Sequence, residues 1–157
     1  MLLLSLGGAF FAYSNFNYYS SRSAQLSSIA DKWTSFNNNS LDINKDALAI
    51  SEVLAESTGD HSAYSSASLL NRDYKDSNDR QSALNNIRKS YVLIEETHQR
   101  LLDNDTANKI YNHYTLLKTE NEQLITSINN EIKVYNRKVS APITLFFNNS
   151  KKIEILK

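Results

Sequence analysis

The residues of this chain that could carry out chemistry are few, and the best-spaced pair is Glu95 and His98. A Glu and a His three residues apart share one face of a helix, and bundles that bind two iron or manganese ions use Glu-x-x-His in this way. Such a centre needs a second copy of the motif and two further glutamates. Neither His61 nor His113 has a carboxylate three residues before it. Since His98 also falls among apolar residues at helical spacing, we predict a hydrogen-bonded core histidine and not a metal ligand.

Other sequence signals of chemistry are missing. The chain has no cysteine, which excludes disulfides and thiolate zinc sites. The three glycines, at positions 7, 8 and 59, form neither a dinucleotide-binding nor a phosphate-binding loop. The 17 basic residues are balanced by 17 acidic ones, without the basic stripe of a nucleic-acid-binding protein. The sequence therefore predicts no catalytic residue, no metal or cofactor, no small-molecule substrate and no nucleic-acid partner.

Three asparagines, Asn121, Asn129 and Asn136, lie on or beside the apolar stripe of the last long helical segment. Asparagine lowers helix propensity and must be hydrogen-bonded where it is buried. One interpretation is a polar ladder that binds a partner or a ligand. The interpretation that we favour is that these amides fix the register between neighbouring helices.

The elements that position these side chains are predicted to be helices. Three glycines and one proline are too few for the turns of a fold made of many short strands. Apolar residues recur in steps of three and four along several long segments, which is the period of an amphipathic helix. A chain of 157 residues with 41% hydrophobic residues is expected to form one domain with one core. We predict an all-α fold, an antiparallel up-down bundle of about four long helices with an N-terminal membrane-anchor helix.

Residues 1–19 form the predicted anchor. The first twelve carry no charge, and the aromatic residues that follow, Tyr13 to Tyr19, belong to the class enriched at the lipid–water boundary. A helix through Tyr19 would nearly cross the hydrocarbon core of about 30 Å. A cleaved signal peptide and a buried core helix are the alternatives. A signal peptide normally begins with basic residues, and no Lys or Arg precedes Arg22.

The bundle is predicted from residue 20 to residue 142, followed by a tail, 143–157. The first helix should end at the polar run 37–40, and the second should start near Asp42 or Asn44, be interrupted at Gly59 and reach about Asn71. Residues 72–79 form the predicted middle connection, and a polar turn at 103–106, with Asp105 or Thr106 as N-cap, precedes the last helix. Pro142 should end that helix.

Each of the four predicted helices has an apolar stripe that should face the core. In chain order, the stripes are Leu26, Ile29, Trp33 and Phe36; Ala47, Ile50 and Leu54; Leu84, Ile87, Tyr91, Ile94, His98 and Leu101; and Ile110, Tyr114, Leu117, Asn121, Leu124, Ile128, Ile132, Tyr135 and Val139. Trp33, Ile87, Ile94, Leu117 and Leu124 are expected to share one core.

The best-defined local pattern lies between residues 119 and 142. Its members are Thr119-Glu120-Asn121, then Ile128-Asn129 and Tyr135-Asn136 seven residues apart, with Ile132, Val139 and a closing Pro142. The pattern resembles the C-terminal signature of the LemA family of bacterial membrane-anchored helical proteins. It departs from that signature at Ile128, where the family has an aromatic residue, and in a gap after Thr119 that is about two residues shorter.

Four residues near the start of the chain, Tyr19, Ile29, Trp33 and Phe36, also fall where the LemA family places a Tyr, an aliphatic residue, a Trp and an aliphatic residue after its N-terminal span. The resemblance implies an N-terminal transmembrane helix followed by an antiparallel bundle. It implies no catalytic residue.

Three functions of different classes are compatible with these patterns. We favour a membrane-tethered interaction or scaffold module of the bacterial envelope, bound to lipid through residues 1–19 and to a protein partner through the bundle. A metal-dependent carboxylate bundle enzyme would use Glu95 and His98, and a secreted helical adhesin or toxin subunit would follow if the first segment is cleaved. Because Arg22 and Lys32 follow the anchor and no basic side chain precedes it, the positive-inside rule favours a single-pass cell-membrane protein with a cytoplasmic bundle.

Overall fold

The computed structural model describes residues 2–77, 79–140 and 151–157, with side chains from residue 20 onward. The described residues form four helices and no strand: α1 (Leu2–Thr58), α2 (Ser62–Lys75), α3 (Arg80–Gln99) and α4 (Asp105–Val139). The regular secondary structure of this part of the chain is therefore all α-helix, as predicted. The side chains of the predicted anchor, residues 1–19, and the predicted helix stop at Pro142 lie outside the described residues. Among the described residues, no helix has a stretch long and apolar enough to cross a membrane.

Helix α1 continues through the asparagine run, so the predicted helix end at residues 37–40 is wrong. Two of its asparagines bind neighbouring helices: Asn37 accepts a hydrogen bond from the Tyr74 hydroxyl at 2.9 Å, and Asn39 donates to Glu120 at 3.2 Å. These bonds offset the low helix propensity of asparagine. The buried seam runs on through the same stretch in steps of four and three: Phe36, Ser40, Ile43, Ala47, Ile50 and Leu54.

The chain divides into two compact units. The first unit comprises Met1–Trp33 and Ser127–Ile155, and the second comprises Thr34–Thr126 and Leu156–Lys157. In the first unit α1 and α4 are antiparallel, because Ser28 and Lys32 both donate to Glu131 while Ser21 accepts from Lys138. Its buried residues include Ile29, Ile128 and Ile132. Leu26 and Trp33 were predicted to lie on the same apolar stripe of α1 as Ile29. Leu26 is instead 37% exposed, and Trp33 is half-buried.

In the second unit the helices follow an up-down order. Helices α1 and α4 are antiparallel, since Asn39 bonds Glu120 and Asp46 bonds His113. Helices α3 and α4 are antiparallel as well: Glu95 bonds Tyr114 and Lys118, while Tyr91 bonds Asn121. Of the predicted core residues in this unit, Ile87 and Ile94 are fully buried, Leu117 is nearly so and Leu124 is half-buried.

The connections depend on a few capping residues. Gly59, at a positive φ of 73°, ends α1 where an interruption was expected, and its N–H donates to the Ala55 carbonyl. Helix α2 extends to Lys75, so the middle connection is shorter than predicted. Asp79 caps α3 by accepting from the Ser82 N–H at 2.9 Å. Asn104 caps α4 by accepting from the Ala107 N–H at 3.0 Å, so the predicted caps Asp105 and Thr106 are wrong.

Candidate functional site

A cleft opens in the second unit where α1, α3 and α4 meet. Its volume of about 530 Å³ lies within the usual range of ligand pockets. Its apolar and aromatic lining consists of Phe36, Leu84, Tyr91, Val92 and Ile125. Its polar and charged lining consists of Arg88, Glu95, Lys118, Asn121, Glu122 and Thr126. The cleft therefore combines a hydrophobic wall with a few polar groups, as binding sites commonly do.

Helical periodicity brings these side chains to one place. On α3, Leu84, Arg88 and Glu95 are separated by four and seven residues, so they share a face beside the buried seam. On α4, Lys118, Glu122 and Ile125 are separated by four and three residues, so they also share one face. Because the two faces border each other across an antiparallel pair of helices, their long side chains enclose the cleft between them.

Asn121 is the most deeply buried polar residue of the lining, with 1% of its surface exposed. Its side-chain Nδ2 donates to the Ser40 hydroxyl on α1 at 3.1 Å and to the Tyr91 hydroxyl on α3 at 3.3 Å. The amide thus connects α4 to two other helices, which is the kind of contact that register fixing requires.

The acceptor of the same amide is unused. The amide makes both of its hydrogen bonds through Nδ2, so Oδ1 is the polar atom that remains. Asn121 Oδ1 is then buried with no hydrogen-bond partner among the described residues. A buried acceptor left unpaired costs about 1–3 kcal/mol.

The charges at the cleft are partly neutralised within the lining. Glu95 accepts from Lys118 Nζ at 2.6 Å and from the Tyr114 hydroxyl at 2.8 Å. The bond from Lys118 holds the pKa of the Glu95 carboxyl below its usual value. Burial, followed by the neighbouring Glu95 carboxylate, raises the pKa of Tyr114, so the phenol stays protonated as a donor. Lys118 also lies 5.6 Å from the centre of the Tyr91 ring, within reach of a cation–π contact.

Glu95 and His98, the pair required by the metal-enzyme hypothesis, have separate partners. The His98 ring bonds Asn108 through Nε2 at 2.8 Å and stacks on Tyr111 with the ring centres 3.8 Å apart. It is hydrogen-bonded as predicted but half-buried, because Thr97, at 2% exposure, occupies the buried position. Across the described chain, no three metal-ligating side chains cluster in a way that could hold a metal ion.

The residues of the LemA-like pattern are divided between the two units. In the second unit Thr119 and Glu120 are exposed and Asn121 lines the cleft. In the first unit Ile132, Tyr135 and Val139 are buried, while Asn129 and Asn136 are half-buried. The Arg22 guanidinium lies over the Tyr135 ring at 5.7 Å. Pro142 is outside the described residues.

Two side-chain amides hold the backbone of residues 151–157, which have no regular secondary structure. In the first unit Asn136 donates to the Ile153 carbonyl and accepts from its N–H, at 2.8 and 2.9 Å. In the second unit Gln81 bonds the N–H and the main-chain oxygen of Lys157, both at 2.9 Å, and Arg88 donates to that oxygen at 2.6 Å. Such bonds hold main-chain atoms and do not depend on the side chains of the segment.

Most of the cleft residues were not identified from the sequence. Arg88, Val92, Lys118 and Ile125 lie just beside the predicted seams, at positions where charged and apolar residues are both ordinary. The available sequence signal was a pair of charged residues beside each seam, Arg88 and Glu95 on α3 and Lys118 and Glu122 on α4. Such pairs also occur on a solvated helix face, so they do not predict a cleft until α1 is packed against α3 and α4.

Comparisons with known proteins do not identify a relative of this chain. No family model matches it, and neither a curated protein nor a solved structure matches it. The resemblance to the LemA family therefore depends on the sequence pattern alone.

Proposed function

We propose that this chain is a membrane-tethered, non-catalytic interaction module whose cleft binds a segment of a partner protein. The observation that carries the proposal is the cleft of about 530 Å³ lined in part by Asn121, whose buried side-chain oxygen has no partner among the described residues. An unpaired acceptor destabilises the unbound state, and a donor from a partner would remove that penalty. Binding of this kind needs no reacting group.

The apolar wall supplies the second source of affinity. Val92 is 53% exposed at the cleft, although it is a β-branched apolar residue. Covering such surface stabilises a complex by about 25 cal/mol for each Å² removed from water. A partner segment with an apolar side chain would therefore gain from the cleft wall and from the amide together.

A non-catalytic role is supported by the hydrogen bonds and ion pairs that Glu95 and Arg88 form in the cleft. Glu95 is bonded to Lys118 and Tyr114, and its lowered pKa keeps it ionised rather than ready to exchange a proton near neutral pH. Arg88 is bonded to the backbone of Lys157. These side chains act as hydrogen-bonding and pairing groups.

The tether is proposed from residues 1–19, whose apolar and aromatic composition suits a bilayer, and from the resemblance to the LemA family. Arg22 and Lys32, which follow that segment, favour a cytoplasmic bundle. Protease treatment of intact cells and of lysed cells tests the orientation at the exposed connection near Asp76. Cleavage before lysis would show that the bundle faces outward.

Site-specific photocrosslinking tests the binding surface. A benzophenone amino acid at Val92 is expected to form an adduct with an apolar segment of one protein, mapped by mass spectrometry. The same group at Leu116, which is 59% exposed on α4 but outside the cleft lining, is the matched control. Equal labelling from both positions, or none from Val92, would contradict the proposal.

A further inference from the structure

We infer that the cleft recognises an extended peptide segment that inserts one apolar side chain and donates a backbone N–H to Asn121 Oδ1. This inference rests on the proposed function, because it names the chemistry of the segment that the cleft would bind. The ligand is an extended peptide, it donates the hydrogen bond, and Asn121 accepts it.

The direction follows from the hydrogen bonds of the amide itself. Asn121 Nδ2 donates to the Ser40 hydroxyl at 3.1 Å and to the Tyr91 hydroxyl at 3.3 Å. Oδ1 of the same amide has no partner among the described residues. The unfilled atom is therefore an acceptor, so a ligand must bring a donor.

The charge of the lining favours a neutral donor. Arg88 and Lys118 are balanced by Glu95 and Glu122, two charges of each sign, so the cleft has no net preference for an anion or a cation. A charged donor would also lose its hydration beside Phe36 and Ile125. The peptide N–H is a neutral donor, and in an extended chain it stands beside a side chain that can fill an apolar pocket.

Main-chain atoms of the chain itself lie next to this cleft. Gln81 bonds the N–H and the main-chain oxygen of Lys157, Arg88 donates to the same oxygen, and the adjacent Leu156 is 7% exposed. Arg88 takes part both in this contact and in the lining of the cleft. Side chains that bond main-chain N–H and oxygen atoms are thus present at the cleft edge.

Access to the acceptor requires a rearrangement of the lining, because Asn121 Oδ1 is closed to solvent. Lys118 is the long, flexible lining residue one turn before Asn121, and its ammonium lies near the Tyr91 ring that borders the amide. Binding is therefore expected to displace the Lys118 side chain and to shift the NMR signals of both residues.

The test is an NMR titration of the full 157-residue chain with N-acetyl-leucine methylamide, the smallest probe with a leucine side chain and peptide N–H groups. Two further probes carry a methyl group on one or the other nitrogen, so that each lacks a single N–H. We expect the parent probe to shift the methyl signals of Leu84, Val92 and Ile125. One of the two methylated probes should bind about fivefold more weakly, which corresponds to the loss of one neutral hydrogen bond.

The variant Asn121→Leu should bind the parent and that methylated probe equally well, because the acceptor is gone. The comparison of the three probes on the unsubstituted chain decides the question even if this variant fails to fold. Equal affinity for all three would overturn the inference and would indicate that a water molecule serves Asn121, while an adduct at Val92 would still support the proposed function. No binding of any probe would overturn the peptide assignment.

Discussion

At the scale of single residues, the second unit contains polar side chains that are almost completely buried. Ser40, Asn44, Ser51, Ser90 and Asn121 are each 0% or 1% exposed. Three of the bonds that they form join different helices: Asn121 to Ser40, Asn121 to Tyr91, and Ser90 to Asn44 at 2.7 Å. Because each bond can form only when the helices are aligned in one way, these residues select a register that apolar packing alone would leave less defined.

Glu95 gives a prediction about pH. The bond from Lys118 is the main cause that lowers the pKa of Glu95 in the folded chain below the value of about 4.5 expected in the unfolded chain. The ionised Glu95 therefore stabilises the fold fully at a pH above the unfolded pKa. This stabilisation is lost as the pH falls through the folded pKa. Glu95→Gln should lower the free energy of unfolding at pH 7 by roughly 0.5–1 kcal/mol, since the ion pair is partly solvent-screened. Denaturant titrations should give a smaller difference near pH 3. The adjacent, exposed Glu96→Gln is the control, and an equal effect there would contradict the assignment.

Gly59 gives a prediction about backbone conformation. Its φ of 73° is unfavourable for residues with a Cβ, although a Cβ added there would contact nothing within 4 Å. Gly59→Ala should therefore destabilise the chain by about 1–2 kcal/mol through the backbone alone. Gly59→Asn should cost less, because asparagine tolerates the left-handed conformation. Thermal or denaturant unfolding measures both, and equal costs would show that the conformation is not the cause.

At the scale of elements, the length of α1 depends on its neighbours. Its stretch through residues 37–40 has the composition of a turn, but Asn37 and Asn39 obtain partners on α2 and α4. Ser40 is small enough to be fully buried at a seam position and bonds Asn121. The helix therefore continues because of tertiary contacts, in spite of the local propensity of these residues.

Substitutions at the exposed Asn38 test this continuity. In the middle of a helix, Asn38→Ala should raise the free energy of unfolding by about 0.5 kcal/mol and Asn38→Pro should lower it by about 3 kcal/mol or more. Asn37→Ala, in the same run, should instead lower it by about 1 kcal/mol, because the Tyr74 hydroxyl loses its acceptor. If the helix ended at this run, proline at position 38 would be nearly neutral in denaturant unfolding.

At the scale of the whole molecule, the described chain is two compact units that share the long helices α1 and α4. Each unit contains an antiparallel pair of these helices, held by contacts such as Ser28 with Glu131 in the first and Asn39 with Glu120 in the second. The second unit adds α2 and α3, and with them the cleft.

Cysteine crosslinking tests the register of α1 against α4 in the second unit. The chain has no cysteine of its own, so the pair Asn39→Cys with Glu120→Cys introduces the only thiols. A short bismaleimide should crosslink this pair, whose native side chains are 3.2 Å apart. The control pair, Asn39→Cys with Lys109→Cys, moves one thiol roughly 16 Å along α4 and should react much less. Equal crosslinking of both pairs would rule out the antiparallel register.

The sequence by itself determined the all-helical class, the seams of α3 and α4 and the interruption at Gly59. These features follow from local causes: a repeating apolar period and a residue that permits positive φ. The tertiary structure decided the continuity of α1, the cap at Asn104 and the place of the cleft. Each of these depends on groups far apart in sequence, since Asn37 needs Tyr74, Asn121 needs Ser40 and Tyr91, and the cleft needs three helices at once. A periodic pattern reports which face of a helix is buried, but only the assembled neighbours determine which polar atoms on that face remain unpaired.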